Sequence, residues 1–272
     1  MENIKKIGVR GQGSGDSKGI LFLLFFLTPH PSPLTPSLWA GELRTSLGAA
    51  SYQYEGAGPG GDVWEEKPTY NSQPFFSAQY CPGGCMPQIV GLVPSKFEMN
   101  FLAGRHAGSP TLSQPIERKV ETWQAAAGWT WLLPQGLGFE IGPMALNQRH
   151  RLRDLAGGGQ TSRDITRLGS YFGILGFKNM GLWQGRFSAR VGVLGWPRRQ
   201  SAASFFSLGL DRPLGHGPWR VGLEGATGLF QLERDGNETG NVGQARDVVI
   251  LFRQGETDYK AALLTVSRSL GK

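Results

Sequence analysis

GRFSARVGVLGW, residues 185–196, alternates along its length. Phe187, Ala189, Val191 and Val193 form one set; Arg186, Ser188, Arg190 and Gly192 form the other. Successive side chains of a strand point to opposite faces, so this stretch has one apolar face and one polar or small face. The pattern recurs in both directions from here, and counting its copies gives the architecture.

Toward the N-terminus, 165–177 is apolar on parts of both faces, and 137–142 sets Leu137, Phe139 and Ile141 against Gly138, Glu140 and Gly142. Pro143 should end that strand or make it irregular, because proline cannot donate to a ladder. The basic, Gly-rich stretch 147–163 reads as a link. Residues 118–133 carry Trp123, Ala125, Ala127, Trp129 and Trp131 on one face, and 88–104 and 42–55 alternate in the same way. Toward the C-terminus the candidates are 202–211, 219–231, 247–253 and 258–268, with a polar loop at 232–246. Residues 56–87 read as a long loop, and a loop that long argues for function or for a strand within it, 73–80 being the place. After residue 40 no stretch keeps helical spacing over three turns. About ten strands joined mostly by short turns predict an antiparallel meander, closed as a barrel or folded as a sandwich.

The chain has 272 residues, of which 18% are charged, below the roughly 25% usual for soluble proteins. Its 41 glycines need a reason in a strand-rich chain, and a crowded barrel interior supplies one. The net charge of +7 is spread without a basic stripe, so nucleic acid is not the expected partner. Residues 20–27, ILFLLFFL, fall far short of the ~20 residues a spanning helix needs. With lysines before them and Ala40 after, residues 1–40 read as a secretory signal and lead segment, leaving 41–272 as one β-domain. In an exported chain Cys81 and Cys85, in CPGGC, can close a small disulfide loop.

Three features favour a membrane barrel over a sandwich. One is the export signal. Another is the placing of Tyr52, Tyr54, Trp129, Trp131, Trp196, Trp219 and Tyr259 near strand ends, as interface girdles require. The third is a second face rich in glycine with few charges, unlike a solvated sheet. Over about residues 42–270 the chain resembles the bacterial outer-membrane β-barrel superfamily. That resemblance implies an all-β, antiparallel up-and-down transmembrane barrel of about ten strands, eight or twelve being the alternative counts. It also implies an outer-membrane location, with membrane lipid as a partner.

On the barrel reading Lys96, Glu98, Glu140, Arg186, Arg190, Arg220 and Glu224 point into the lumen, where charges must pair or stay wet. The expected role is non-catalytic: structural or adhesive through loop 56–87 toward a surface partner, or passage of a small solute. No catalytic, cofactor or metal-binding set is expected, since the P-loop, Rossmann, GxSxG and HExxH templates all fail. Two alternatives stand beside this. His106 with Ser109 resembles the His-x-Ser arrangement of outer-membrane lipid A deacylases, with one residue too many between them; a lipid-modifying hydrolase would use His106. A soluble periplasmic β-sandwich binding a ligand is the other. With ten strands and both termini at one end, loop 56–87 falls at the far end, and so do the tight turns at Pro134 and Gly255.

Overall fold

The computed structural model describes residues 41–57, 63–65, 69–82, 96–107, 116–133, 136–195 and 201–270. Every regular element among them is a strand: β1 (Gly41–Ala57), β2 (Val63–Glu65), β3 (Thr69–Pro82), β4 (Lys96–Ala107), β5 (Ile116–Leu132), β6 (Leu137–Asp154), β7 (Gln160–Met180), β8 (Trp183–Leu194), β9 (Ser201–Pro213), β10 (Trp219–Glu233), β11 (Glu238–Val242), β12 (Ala245–Leu251) and β13 (Gln254–Leu270). Ten of these form a closed ring in the order β1-β3-β4-β5-β6-β7-β8-β9-β10-β13, each antiparallel to its neighbours. The ring closes where β1 pairs with β13, from Gly41 opposite Leu270 to Ala57 opposite Gln254. β2 adds a short pairing to the upper end of β1, and β11 with β12 forms a separate hairpin.

The count of ten is reached by different strands from those the pattern suggests. The strand hidden in 73–80 is real and belongs to β3. In exchange, 247–253 is not a wall strand: it falls in β12 and its hairpin. This exchange corrects the placing of the turns. The turn at 133–136, held by Leu133 N–H on the Leu137 carbonyl (2.7 Å), lies at the same end as Gly41 and Leu270. So do the short connections between β7 and β8 and between β9 and β10. The exception on that side is 83–95, between β3 and β4; with that one set apart, the shorter connections mark it as the inward side of such barrels and the opposite end as the outward one.

β6 also departs from expectation. It runs on through Pro143 to Asp154, so 147–153 is strand, not link. Pro143 still leaves a mark: the β5–β6 pairing skips Ala127 and Gly128 opposite Pro143 and Gly142. β4 begins at Lys96, and 88–95 lies outside the described residues, as do 1–40, the expected leader, and Cys85.

The barrel is inside out relative to a soluble domain. On β1, Leu47 is 64% exposed and Arg44 only 6%. Leu43, Phe76, Met99, Phe139, Ile141, Phe172, Val191, Leu208, Leu223 and Leu264 continue an exposed apolar belt around the wall. A belt that continuous is stable against hydrocarbon and not against water. Inside, glycines make room for rings: a Cβ at Gly128 would strike the Tyr171 hydroxyl, and one at Gly228 the Tyr259 ring. Tyr52, Tyr54 and Tyr259 are themselves interior, each under 5% exposed, so they are not girdle residues. Trp219 does face outward.

A closed ring has no strand edge at which to unzip. The purified protein should therefore run at different mobilities in SDS gels with and without boiling; a single mobility would contradict closure.

Candidate functional site

The polar face of each strand fills the lumen, and its charges meet in two layers. In the lower layer Arg44 bridges to Asp211 (2.6 Å), and Arg186 reaches Glu224 (2.8 Å) and Asp211 (3.4 Å). In the middle layer Arg190 lies between Glu98 (2.8 Å) and Glu140, with its guanidinium over the Tyr171 ring. Glu140 is wholly buried. Such carboxylates persist in a low-dielectric interior only when paired.

An aromatic shelf lies beside these layers. Phe75 meets Tyr259 (5.3 Å between centroids), Tyr259 stacks on Phe230 (5.8 Å), and Phe230 meets Phe205 edge-on (5.2 Å). Between shelf and ion pairs is a cavity of about 100 Å³, lined by Arg44, Arg186, Arg190, Glu98 and Glu224 together with Phe75, Phe205 and Tyr259.

The outward end is closed by the β11–β12 hairpin. Val242, Ala245, Val248, Ile250 and Leu251 are buried in one core with Tyr52, Tyr54, Leu146, Leu194 and Leu232. Arg118 projects inward from β5 and donates to the carbonyls of Ile250 (2.8 Å) and Val249 (2.6 Å). At the end of β6, Asp154 accepts from Gln244 N–H (3.0 Å) and Ala156 N–H (2.8 Å). Backbone donors, Gly157 first and then Gln244, hold its carboxyl below the usual aspartate range. Gly159 passes so close to Gly243 that a side chain at Gly159 would collide with it. Arg163 pairs with Glu238 at the hairpin's start.

Of the residues singled out from sequence, Glu98, Glu140, Arg186, Arg190 and Glu224 come together in the lumen. Arg220 is half-buried on the same face of β10, four residues below Glu224. Lys96 is placed only by its backbone, opposite Gly128, and its side chain lies outside the described residues. Cys81 is buried near the end of β3; its expected bond to Cys85 lies outside the described residues. His106 is placed by its backbone in β4, and its side chain and Ser109 lie outside them too. Sequence reasoning missed Arg44 and Asp211, although Arg44 alternates with Leu43 and Thr45 and so belonged to the polar face. It also missed Arg118 and Asp154, whose partners are 132 and 90 residues away.

No protein-family model matches the chain, and no curated protein matches it. Among solved structures it is similar to the outer membrane protease OmpT from Escherichia coli, at 14% identity and a TM-score of 0.43, over 88% of this chain and 100% of that one. It is similar also to the P. putida toluene transporter TodX (10% identity, TM-score 0.32, 86% and 91% covered) and to a Pseudomonas aeruginosa FadL homologue (9%, 0.32, 85% and 90%). The chain resembles outer-membrane β-barrels. Closure, strand number and the apolar belt carry that statement.

Two outcomes follow. Arg190→Met takes the shared guanidinium from the half-buried Glu98 and the buried Glu140 and should lower stability by about 3–5 kcal/mol, read as earlier loss of the folded gel band on heating. Adding Glu98→Gln and Glu140→Gln should recover most of it; an unchanged single variant would deny the ion cluster its role. The Asp154 carboxyl, lower in the folded state than the ~3.9 of a free aspartate, contributes stability above that value and loses it as pH falls through the folded one. The hydrogen-exchange protection factor of Gln244 N–H should drop over that acid window and already be low at neutral pH in Asp154→Ala.

Proposed function

We propose that the protein is a non-catalytic outer-membrane β-barrel that stays closed and serves as a surface scaffold. Residues 1–40 would direct its export, and its longer connections would face a surface partner. The observation that carries this is the filled lumen: two ion-pair layers below, an aromatic shelf, and a hairpin roof.

Magnitudes favour a fixed roof over a moving one. Lifting the hairpin would expose Val242, Val248, Ile250 and Leu251. At about 1.5–3 kcal/mol for each large apolar side chain, the cost is on the order of 6–12 kcal/mol, comparable with the whole stability of a domain. Lifting the hairpin also breaks the two hydrogen bonds that Arg118 donates to the Ile250 and Val249 carbonyls. A pore gated at such an energy would be open too rarely to carry flux.

The cavity of about 100 Å³ favours a second reading, slow passage of a small solute. Planar-bilayer recording separates the two. The closed scaffold should give no stable conductance steps in molar salt, and liposomes carrying it should swell in small polyols no faster than empty ones. Reproducible steps from the heat-modifiable species would overturn the closed reading, and swelling without steps would support the second.

A further inference from the structure

The outer wall carries a trough that the apolar belt alone does not require. Across β7, β8, β9 and β10 the outward row Phe172–Val191–Ser204–Leu229 runs beside the row Ile174–Ala189–Phe206–Thr227. Phe172, Ile174, Val191 and Phe206 stand 46–63% exposed, while Ala189, Ser204 and Thr227 are half-buried between them. The result is an apolar hollow of about 440 Å³. At ~4.8 Å per strand it extends roughly 14 Å across the wall, and it is about one residue pair, ~7 Å, wide. A helix, ~10 Å across with its side chains, does not fit it; a single hydrocarbon chain does.

The end of the trough at β13 is charged. Leu229 pairs with Asp258 and Thr227 with Lys260, both outward-facing. Asp258 lines the hollow, Lys260 is exposed, and neither is in an ion pair with another of the described residues. This is where the wall turns polar. Leu223 and Leu264 lie below, 68% and 59% exposed, and above them Gln231 donates to Glu256 (2.8 Å). A cation and a carboxylate two strand residues apart, ~7 Å, complement the phosphate and ammonium of a zwitterionic headgroup.

The geometry points to a retained glycerophospholipid with a zwitterionic headgroup. Its chain lies in the trough, its phosphate on Lys260 and its ammonium on Asp258. An anionic headgroup would meet Asp258 without a compensating charge. The inference rests on the apolar belt facing lipid and not on the lumen being closed, so conductance and lipid retention fail separately.

Native mass spectrometry of the full-length, detergent-purified barrel tests it, with phosphatidylethanolamine and phosphatidylglycerol added in equal amounts. One phosphatidylethanolamine should be retained per barrel in preference to phosphatidylglycerol. Lys260→Ala should reduce that bound fraction about threefold to tenfold, the scale of one charge-assisted contact. Asp258→Asn should abolish the preference between the two lipids. Ser204→Leu fills the trough floor with an apolar side chain that hydrocarbon tolerates, and it should reduce retention with the headgroup pair intact. Each variant should keep the heat-dependent gel shift, which separates lost lipid from lost fold. Equal retention of both lipids by the unaltered protein would overturn the proposal. So would preferred retention of a diphosphorylated glycolipid, a lipid-displaced dimer, or an unchanged Ser204→Leu.

Discussion

The pairing of β1 with β13 is the constraint on which the rest depends. In hydrocarbon no water is available to satisfy an open strand edge, and each orphaned backbone group costs several kcal/mol. A sheet with this belt must therefore close. Closure here brings residues 41–57 against 254–270, the two ends of the described chain. Once the ring is shut, the two faces of every wall strand have fixed fates: one meets lipid and the other a space too narrow to stay open. The apolar residues go outward, and the polar ones must find each other inside.

That inversion explains why the interior is organised by charge. Arg44, Arg186 and Arg190 come from two strands and their carboxylate partners Glu98, Glu140, Asp211 and Glu224 from four others, so every one of these pairs except Arg186–Asp211 fixes the relative height of strands that are not hydrogen-bonded neighbours. In a soluble core apolar packing performs this registration. Here apolar packing takes over only toward the outward end, where Tyr52, Leu146, Leu194 and the hairpin's Val248 and Ile250 form an ordinary core.

The alternation in 185–196 was enough to read the wall, since a period of two together with an apolar outer face leaves few architectures. The lumen set was legible for the same reason: Glu98, Glu140, Arg186, Arg190 and Glu224 fall on the polar side of clean strands. What could not be read had another periodicity or none. Phe75 and Phe76 sit beside Pro74 in a stretch that looks like loop. β12 alternates as well as any wall strand, and nothing local shows that its partner is β11 and not the barrel. Tyr52, Tyr54 and Tyr259 lie near strand ends in sequence yet point inward, because the strands continue past the belt and the ring at that level encloses a core. The roof contacts of Arg118 and Asp154 join segments about a hundred residues apart, where no spacing rule applies.

The length of β6 and β7 has a further consequence. Within β6 and β7 the last exposed apolar side chain is Leu168, opposite Ala145, and β6 continues nine residues more to Asp154, with a lone Leu155 exposed in the turn beyond. At ~3.3 Å per residue and a strand tilt near 40°, the roof stands about 20 Å beyond the hydrocarbon boundary. That exceeds twice the ~8 Å Debye length at physiological ionic strength. Arg118 and Asp154, which anchor the hairpin near that height, are thereby electrostatically insulated from the headgroup layer. A change in membrane surface charge would be felt by the wall at Lys260 and Asp258, and hardly at all by the roof.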